Sequence, residues 1–225
     1  MRLHVEQEKR RDVLHGRRIE LAAAAITAAS KFVLADWLGY ELIFLLAAIG
    51  FWIIYVVSRA LTDRAVVQRW GFQATGMREG AVLTGIAMAA GGSFCVIYAF
   101  FTGSALIHPN LILLLILYPL WGLIQQFMLV AVFADNVMAL ARGRASEFVV
   151  VMFSALLFAA IHFPETPLMI ATFFLGAATT LIFFRTRNLW MIGVLHGWFS
   201  TLFYFLVMGH DPLAPLLRVA FGAAG

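Results

Sequence analysis

Two glutamines, two histidines and a serine carry the hydrogen-bonding chemistry of this chain, and all five lie in stretches that are otherwise apolar. Gln125 and Gln126 are adjacent in the run 111–133, His162 ends the run 148–163, and His196 and Ser200 stand four apart in the run 189–208. Polar groups in hydrocarbon are costly and mark either a site or a helix–helix contact. A neutral imidazole donates from one ring nitrogen and accepts at the other. Two imidazoles facing each other across a bundle can therefore polarise a carbonyl, hold a water or bind a metal. Residues four apart share a helix face, which pairs Phe158 with His162 and His196 with Ser200. Plainer roles stand beside these. The glutamines also suit interhelical hydrogen bonding, His162 beside Pro164 suits an interface, and Ser200 suits a bond back to the carbonyl of His196. None of the three runs contains an acid, and Glu165 is the acid nearest a histidine and the candidate substitute base. No metal or other cofactor is expected, because two histidines without a carboxylate or cysteine make an incomplete ligand set.

The elements that must position these residues are membrane helices. Of 225 residues, 63% are hydrophobic and 12% charged, against roughly 45–50% and about 25% in a soluble domain. The mean hydropathy is +0.91. The chain reads as an all-α, polytopic integral membrane protein of one domain, since helices satisfy their own backbone in lipid and no alternating strand pattern is present. Seven apolar runs are expected to span, at 19–39, 41–58, 80–102, 111–133, 148–163, 167–184 and 189–208. With the N-terminus in the cytoplasm, 14 of the 16 Lys and Arg fall on cytoplasmic segments, as the positive-inside rule requires. That distribution, rather than nucleic-acid binding, accounts for the basic pI of about 9.6. Residues 1–18 read as a basic cytoplasmic segment without a signal-peptide core, 19–208 as the transmembrane domain and 209–225 as a tail. Cys95, the only cysteine, reads as a small packed hydrophobe. His4, His15, His108 and His210 read as solvated. Small residues between Gly80 and Ser93 and at Gly176–Ala178 let helices approach closely.

Depth decides whether the polar residues can meet. Gln126 and His196 each lie roughly 12–14 Å from the cytoplasmic surface, counted at 1.5 Å per residue. His162 counts nearer the outer side. It reaches the other two only if the short runs 148–163 and 167–184 form a hairpin set below the outer surface, around an intramembrane polar cavity.

The order of these elements resembles the CPBP family of intramembrane endopeptidases, also called the CAAX prenyl protease type II or Abi family. That family carries Glu-Glu-x-x-x-Arg, Phe-x-x-x-His and His-x-x-x-Asn/Asp on three core helices. Here Gln125-Gln126 occupies the first motif, Phe158-Ala-Ala-Ile-His162 matches the second, and His196-Gly-Trp-Phe-Ser200 occupies the third, after the lead-in Arg185-x-Arg187-Asn-Leu-Trp. The resemblance covers about residues 111–205. It departs where both glutamates are glutamine, the motif arginine is Val130 and the final Asn/Asp is Ser200. It implies hydrolysis of a peptide bond in a membrane-associated protein or peptide, with Gln125, Gln126, His162, His196 and Ser200 as the catalytic set and Phe158 against substrate. Glutamine cannot act as a general base, though it can still bond a water or a carbonyl. A catalytically inactive pseudoprotease that binds peptides as a membrane scaffold is the alternative, and a small-molecule or proton carrier is a third class.

Overall fold

The computed structural model describes residues 2–141 and 143–214. Among these residues every regular element is a helix: α1 (Arg2–Ser30), α2 (Glu41–Thr62), α3 (Arg64–Arg69), α4 (Met77–Thr102), α5 (Asn110–Gln126), α6 (Asp135–Ala141), α7 (Glu147–Ile161), α8 (Thr166–Thr186) and α9 (Leu189–Leu202). Three π-helical stretches extend them. Lys31–Trp37 continues α1, Phe127–Ala134 joins α5 to α6, and Phe203–Val207 continues α9. Helix starts follow the sequence chemistry. Asp63 accepts from Ala65 N and Val66 N, Ser146 from Val149 N, and Asn188 from Met191 N, each satisfying donors that a helix leaves free.

Five helices are long and apolar enough to cross a membrane: Glu41–Thr62, Met77–Thr102, the continuous rod Asn110–Ala141, Thr166–Thr186 and Leu189–Val207. The protein is a multi-pass helical membrane protein. Two of the seven expected spans differ. The run 148–163 becomes the 15-residue α7, which at about 1.5 Å per residue is shorter than a hydrocarbon core of about 30 Å. The run 19–39 has no boundary at residue 18, because the basic segment and the Ala-rich stretch form the single helix α1. Residues 215–225 of the expected tail lie outside the described residues.

The core of the bundle is the crossing of α5 and α9, the most extensive helix contact among the described residues. Glycine makes it possible. A Cβ at Gly122 would sit 2.6 Å from Gly193 O and 2.9 Å from Gly197 N, and one at Gly197 would overlap the backbone at Pro119. Pro119 contributes no N–H there, so the approach strands no donor on that residue. The α7–α8 hairpin closes in the same way, with Gly176 against Ala155 and Phe158. A methyl at position 197 has no room, so Gly197→Ala is expected to destabilise the fold by about 1–3 kcal/mol. Gly85, with nothing near its Cβ position, gives the matched control. Its alanine variant should be neutral or slightly stabilising. Unfolding of the two variants in nanodiscs checks the pair, and equal stabilities would contradict this account of the crossing.

The start of α9 is fixed by the loop before α4. Leu189 N donates to Gly71 O (2.9 Å), Asn188 Nδ2 to Gln73 O (2.7 Å) and Gln73 Nε2 to Arg187 O (3.0 Å). Gly71 has φ +89, and a Cβ there would meet Arg187 O at 2.9 Å. Only glycine combines that backbone conformation with that closeness. Cys95 is buried against Phe203, as its apolar surroundings imply.

Beside this clamp, buried charges tie α1 to the core. Glu20, 3% exposed, accepts from Arg69 Nη2 (2.7 Å), Asn136 Nδ2 (2.6 Å) and Tyr55 Oη (3.0 Å). Asp135 pairs with Arg17 at 2.8 Å and with Arg187 at 2.7 Å. By sequence alone Arg17 and Arg69 count only among the basic residues of the cytoplasmic segments, Arg187 belongs also to the motif lead-in, and Glu20 has no evident role. The available signal was an acid at the edge of an apolar run, where a lone charge does not persist without a partner.

Candidate active site

The glycine crossing brings Gln126 and His196 into contact. Gln126 is fully buried and His196 is 3% exposed. Gln126 Nε2 lies 2.8 Å from His196 Nδ1. With the amide nitrogen donating, Nδ1 accepts, and the neutral ring of His196 carries its hydrogen on Nε2. Gln126 Oε1 is buried without a hydrogen-bond partner, and so is Gln125 Oε1.

His162 joins this pair through one aromatic ring. It sits at the C-terminal end of α7, and its Nδ1 lies 2.7 Å from Phe158 O. A carbonyl only accepts, so Nδ1 carries the hydrogen and the neutral ring offers Nε2 as an acceptor. The Phe158 ring packs on both imidazoles, with centroids 5.0 Å from His162 and 5.6 Å from His196. The short hairpin is what brings His162 to this depth. The two histidines thus present complementary nitrogens, a donor on His196 and an acceptor on His162.

Three residues differ from their expected surroundings. Phe158, expected against substrate, is 4% exposed and occupied by the two imidazoles, because Gly176 presses the α8 backbone onto its Cβ side. Ser200 does not bond back to the His196 carbonyl. Glu165, the candidate substitute base, has an exposed side chain, and only its backbone N–H reaches His162, at O, 3.0 Å. Of the four histidines read as solvated, His15, His108 and His210 are exposed, and His108 Nδ1 lies 3.5 Å from Asp211 Oδ2. The side chain of His4 lies outside the described residues. Among the described residues no group of three or more His, Cys, Asp or Glu is placed to hold a metal ion.

Fold and site together define a polytopic helical membrane protein with a buried glutamine–histidine pair at a helix crossing and a second imidazole beside it. The family model described as Type II CAAX prenyl endopeptidase Rce1-like matches residues 61–202, and the chain belongs to that family. The match takes in α3 to α9 and therefore every residue of the pair and its surroundings, while α1 and most of α2 precede it. Comparison with curated proteins and with solved structures returns no match.

Proposed function

We propose that this protein is an intramembrane peptidase that hydrolyses a peptide bond of a membrane-associated protein or peptide at the Gln126–His196 pair. The observation that carries this reading is the 2.8 Å contact between Gln126 Nε2 and His196 Nδ1, with His162 held beside it on Phe158. His196 donates from Nε2 to the substrate carbonyl oxygen and then to the oxyanion that forms as water adds to the carbonyl carbon. His162 accepts the proton of that water at Nε2 and passes it to the leaving amine nitrogen as the C–N bond breaks. The unpaired Oε1 atoms of Gln125 and Gln126 orient the water, and Ser200 donates a further bond to the oxyanion. Glu165 takes no part. In this reading the polar groups form a cavity within the bilayer, α1 and α7 complete seven membrane helices, and the N-terminus and the Arg-rich loops face the cytoplasm.

A second reading is favoured by one specific feature: among the described residues no carboxylate bonds Gln126 or His196. A site with amide in place of acid suits a pseudoprotease that binds peptide segments without cutting them. The two are separated by presenting the purified protein in lipid with a pool of membrane-associated peptides, read by mass spectrometry beside His196→Ala. Cleavage by the native protein that His196→Ala loses is the expected result. Native protein that cuts nothing, yet still cross-links peptides, sinks hydrolysis and leaves the binding scaffold.

A further inference from the structure

Eight serine and threonine side chains are buried in the helices: Thr84, Ser154, Thr172, Thr179, Thr180, Thr186, Ser200 and Thr201. Seven of them donate to the carbonyl four residues back, at 2.7–2.9 Å. That is how a hydroxyl is satisfied inside an apolar helix. Ser200 is the exception, with no such bond and no other protein partner among the described residues, although it is 8% exposed. It stands one turn above His196 on the same face of α9. A buried hydroxyl that forgoes its available carbonyl is pointed at something else that bonds.

The same face continues upward. Tyr204 lies four residues beyond Ser200, and Tyr118 lies eight before Gln126 on α5, which runs antiparallel to α9. The two rings meet edge to face, with centroids 6.4 Å apart at 88°. Both tyrosines are half-buried. Neither phenol hydroxyl bonds a protein group among the described residues, unlike that of Tyr55, which donates to Glu20. Beyond Tyr204 the file reaches the bundle end, where exposed His210 packs on its ring at 6.0 Å and Asn110 bonds Asp211. The distance from His196 to Tyr204 along α9 is about 12 Å. Three hydroxyls without protein partners thus line one seam between the end at Asp211 and the buried pair, where two glutamine oxygens are also unpaired.

We propose that water reaches His196 along this seam, past Tyr118 and Tyr204 and over Ser200, with the tyrosine pair forming its narrowest point. The inference rests on the reading that the Gln126–His196 pair is the working centre. Buried polar groups without protein partners are where ordered water resides, because each water needs two to four such partners. The seam supplies these in sequence. It also keeps water off the lipid-facing sides of α5 and α9, whose outward residues are large and apolar.

The test is thiol accessibility in the full-length protein in nanodiscs, on a Cys95→Ala background. Silver ion is the probe, being small enough to follow a file of waters. Captured thiols are scored by their failure to take up maleimide after denaturation. Ser200→Cys is expected to react at least about tenfold faster than Thr201→Cys, which sits one residue on and is fully buried, a ratio corresponding to about 1.4 kcal/mol of barrier. Adding Tyr204→Trp should slow Ser200→Cys at least about tenfold, while leaving the exposed Thr166→Cys unchanged. Should Tyr204→Trp alter Thr166→Cys, marking a disturbed fold, Tyr118→Trp narrows the same point from the other helix. Ser200→Cys no faster than Thr201→Cys overturns the route, and rates indifferent to both tryptophans overturn the role of the tyrosines. The readout needs no hydrolysis. A labelled seam with no peptide cleavage removes only the peptidase reading, and cleavage with an unlabelled seam removes only this one.

Discussion

Gln126→Glu is expected to raise peptide cleavage by at least about a hundredfold, the lower end of what a positioned general base contributes. Gln126 is the glutamine in contact with His196, so a carboxylate at that position meets Nδ1 directly. An ionised carboxylate only accepts. It can take a proton from water, which the amide cannot do, and once protonated it donates to Nδ1 as the amide did, so His196 keeps the Nε2 hydrogen that the oxyanion needs. Gln125 makes no such contact. Its Oε1 is buried and unpaired, but Gln125→Glu alone should change the rate by no more than a few-fold. The gain at position 126 carries a cost in stability, because the site is fully buried and an ion there loses its hydration. Initial rates of the two single variants, with thermal unfolding measured beside them, check the assignment. A folded Gln126→Glu protein no faster than the native one defeats it, as does a larger gain from Gln125→Glu.

The residues of the candidate site stand out in the sequence because their types conflict with their surroundings. Gln125, Gln126, His162, His196 and Ser200 are polar groups in apolar runs, and the family motifs order them. What the sequence does not display is the crossing that joins them. Gly122, Gly193 and Gly197 look like any small residues in a membrane helix, and only their mutual approach across α5 and α9 assigns them. The depth of His162 was also open. It depended on the length of α7, which ends at Ile161. Phe158 is ambiguous by sequence, because a motif residue on the same face as a histidine suits substrate contact and ring packing equally well, and here its ring packs on both imidazoles. Five long apolar helices are plain in the composition. The first run was not, because α1 carries its basic residues and its apolar residues on one continuous helix.

The Glu20 cluster shows why α1 nevertheless belongs to the bundle, and it carries the other large expected effect. Glu20→Ala should destabilise the protein by about 3–5 kcal/mol, the range found when one partner of a buried ionic group is removed. The reason is what stays behind. Arg69, Asn136 and Tyr55 all donate to the Glu20 carboxylate, and the side chain of Arg69 is 18% exposed, so water cannot replace the lost acceptor fully. Glu20→Gln keeps one acceptor oxygen and should lose less, about 1–3 kcal/mol. Removing both charges in Glu20→Leu/Arg69→Leu should recover part of the loss, because no buried charge is left alone. The consequence extends to the site. Asn136 lies on the rod Asn110–Ala141 that carries Gln126, ten residues or about 15 Å further along, and the intervening stretch is the buried π-helical segment Phe127–Ala134. A rod released at Asn136 is free to shift at Gln126, so Glu20→Ala should also weaken whatever the native site does, binding or cleavage alike. Unfolding of Glu20→Leu, Arg69→Leu and the double variant in nanodiscs, scored as a double-mutant cycle, gives the coupling, with Glu20→Ala and Glu20→Gln measured beside them. A Glu20→Ala protein as stable as the native one would show that α1 rests on the core through its apolar face alone, Ala23 and Ala24 foremost, with the ion pairs idle.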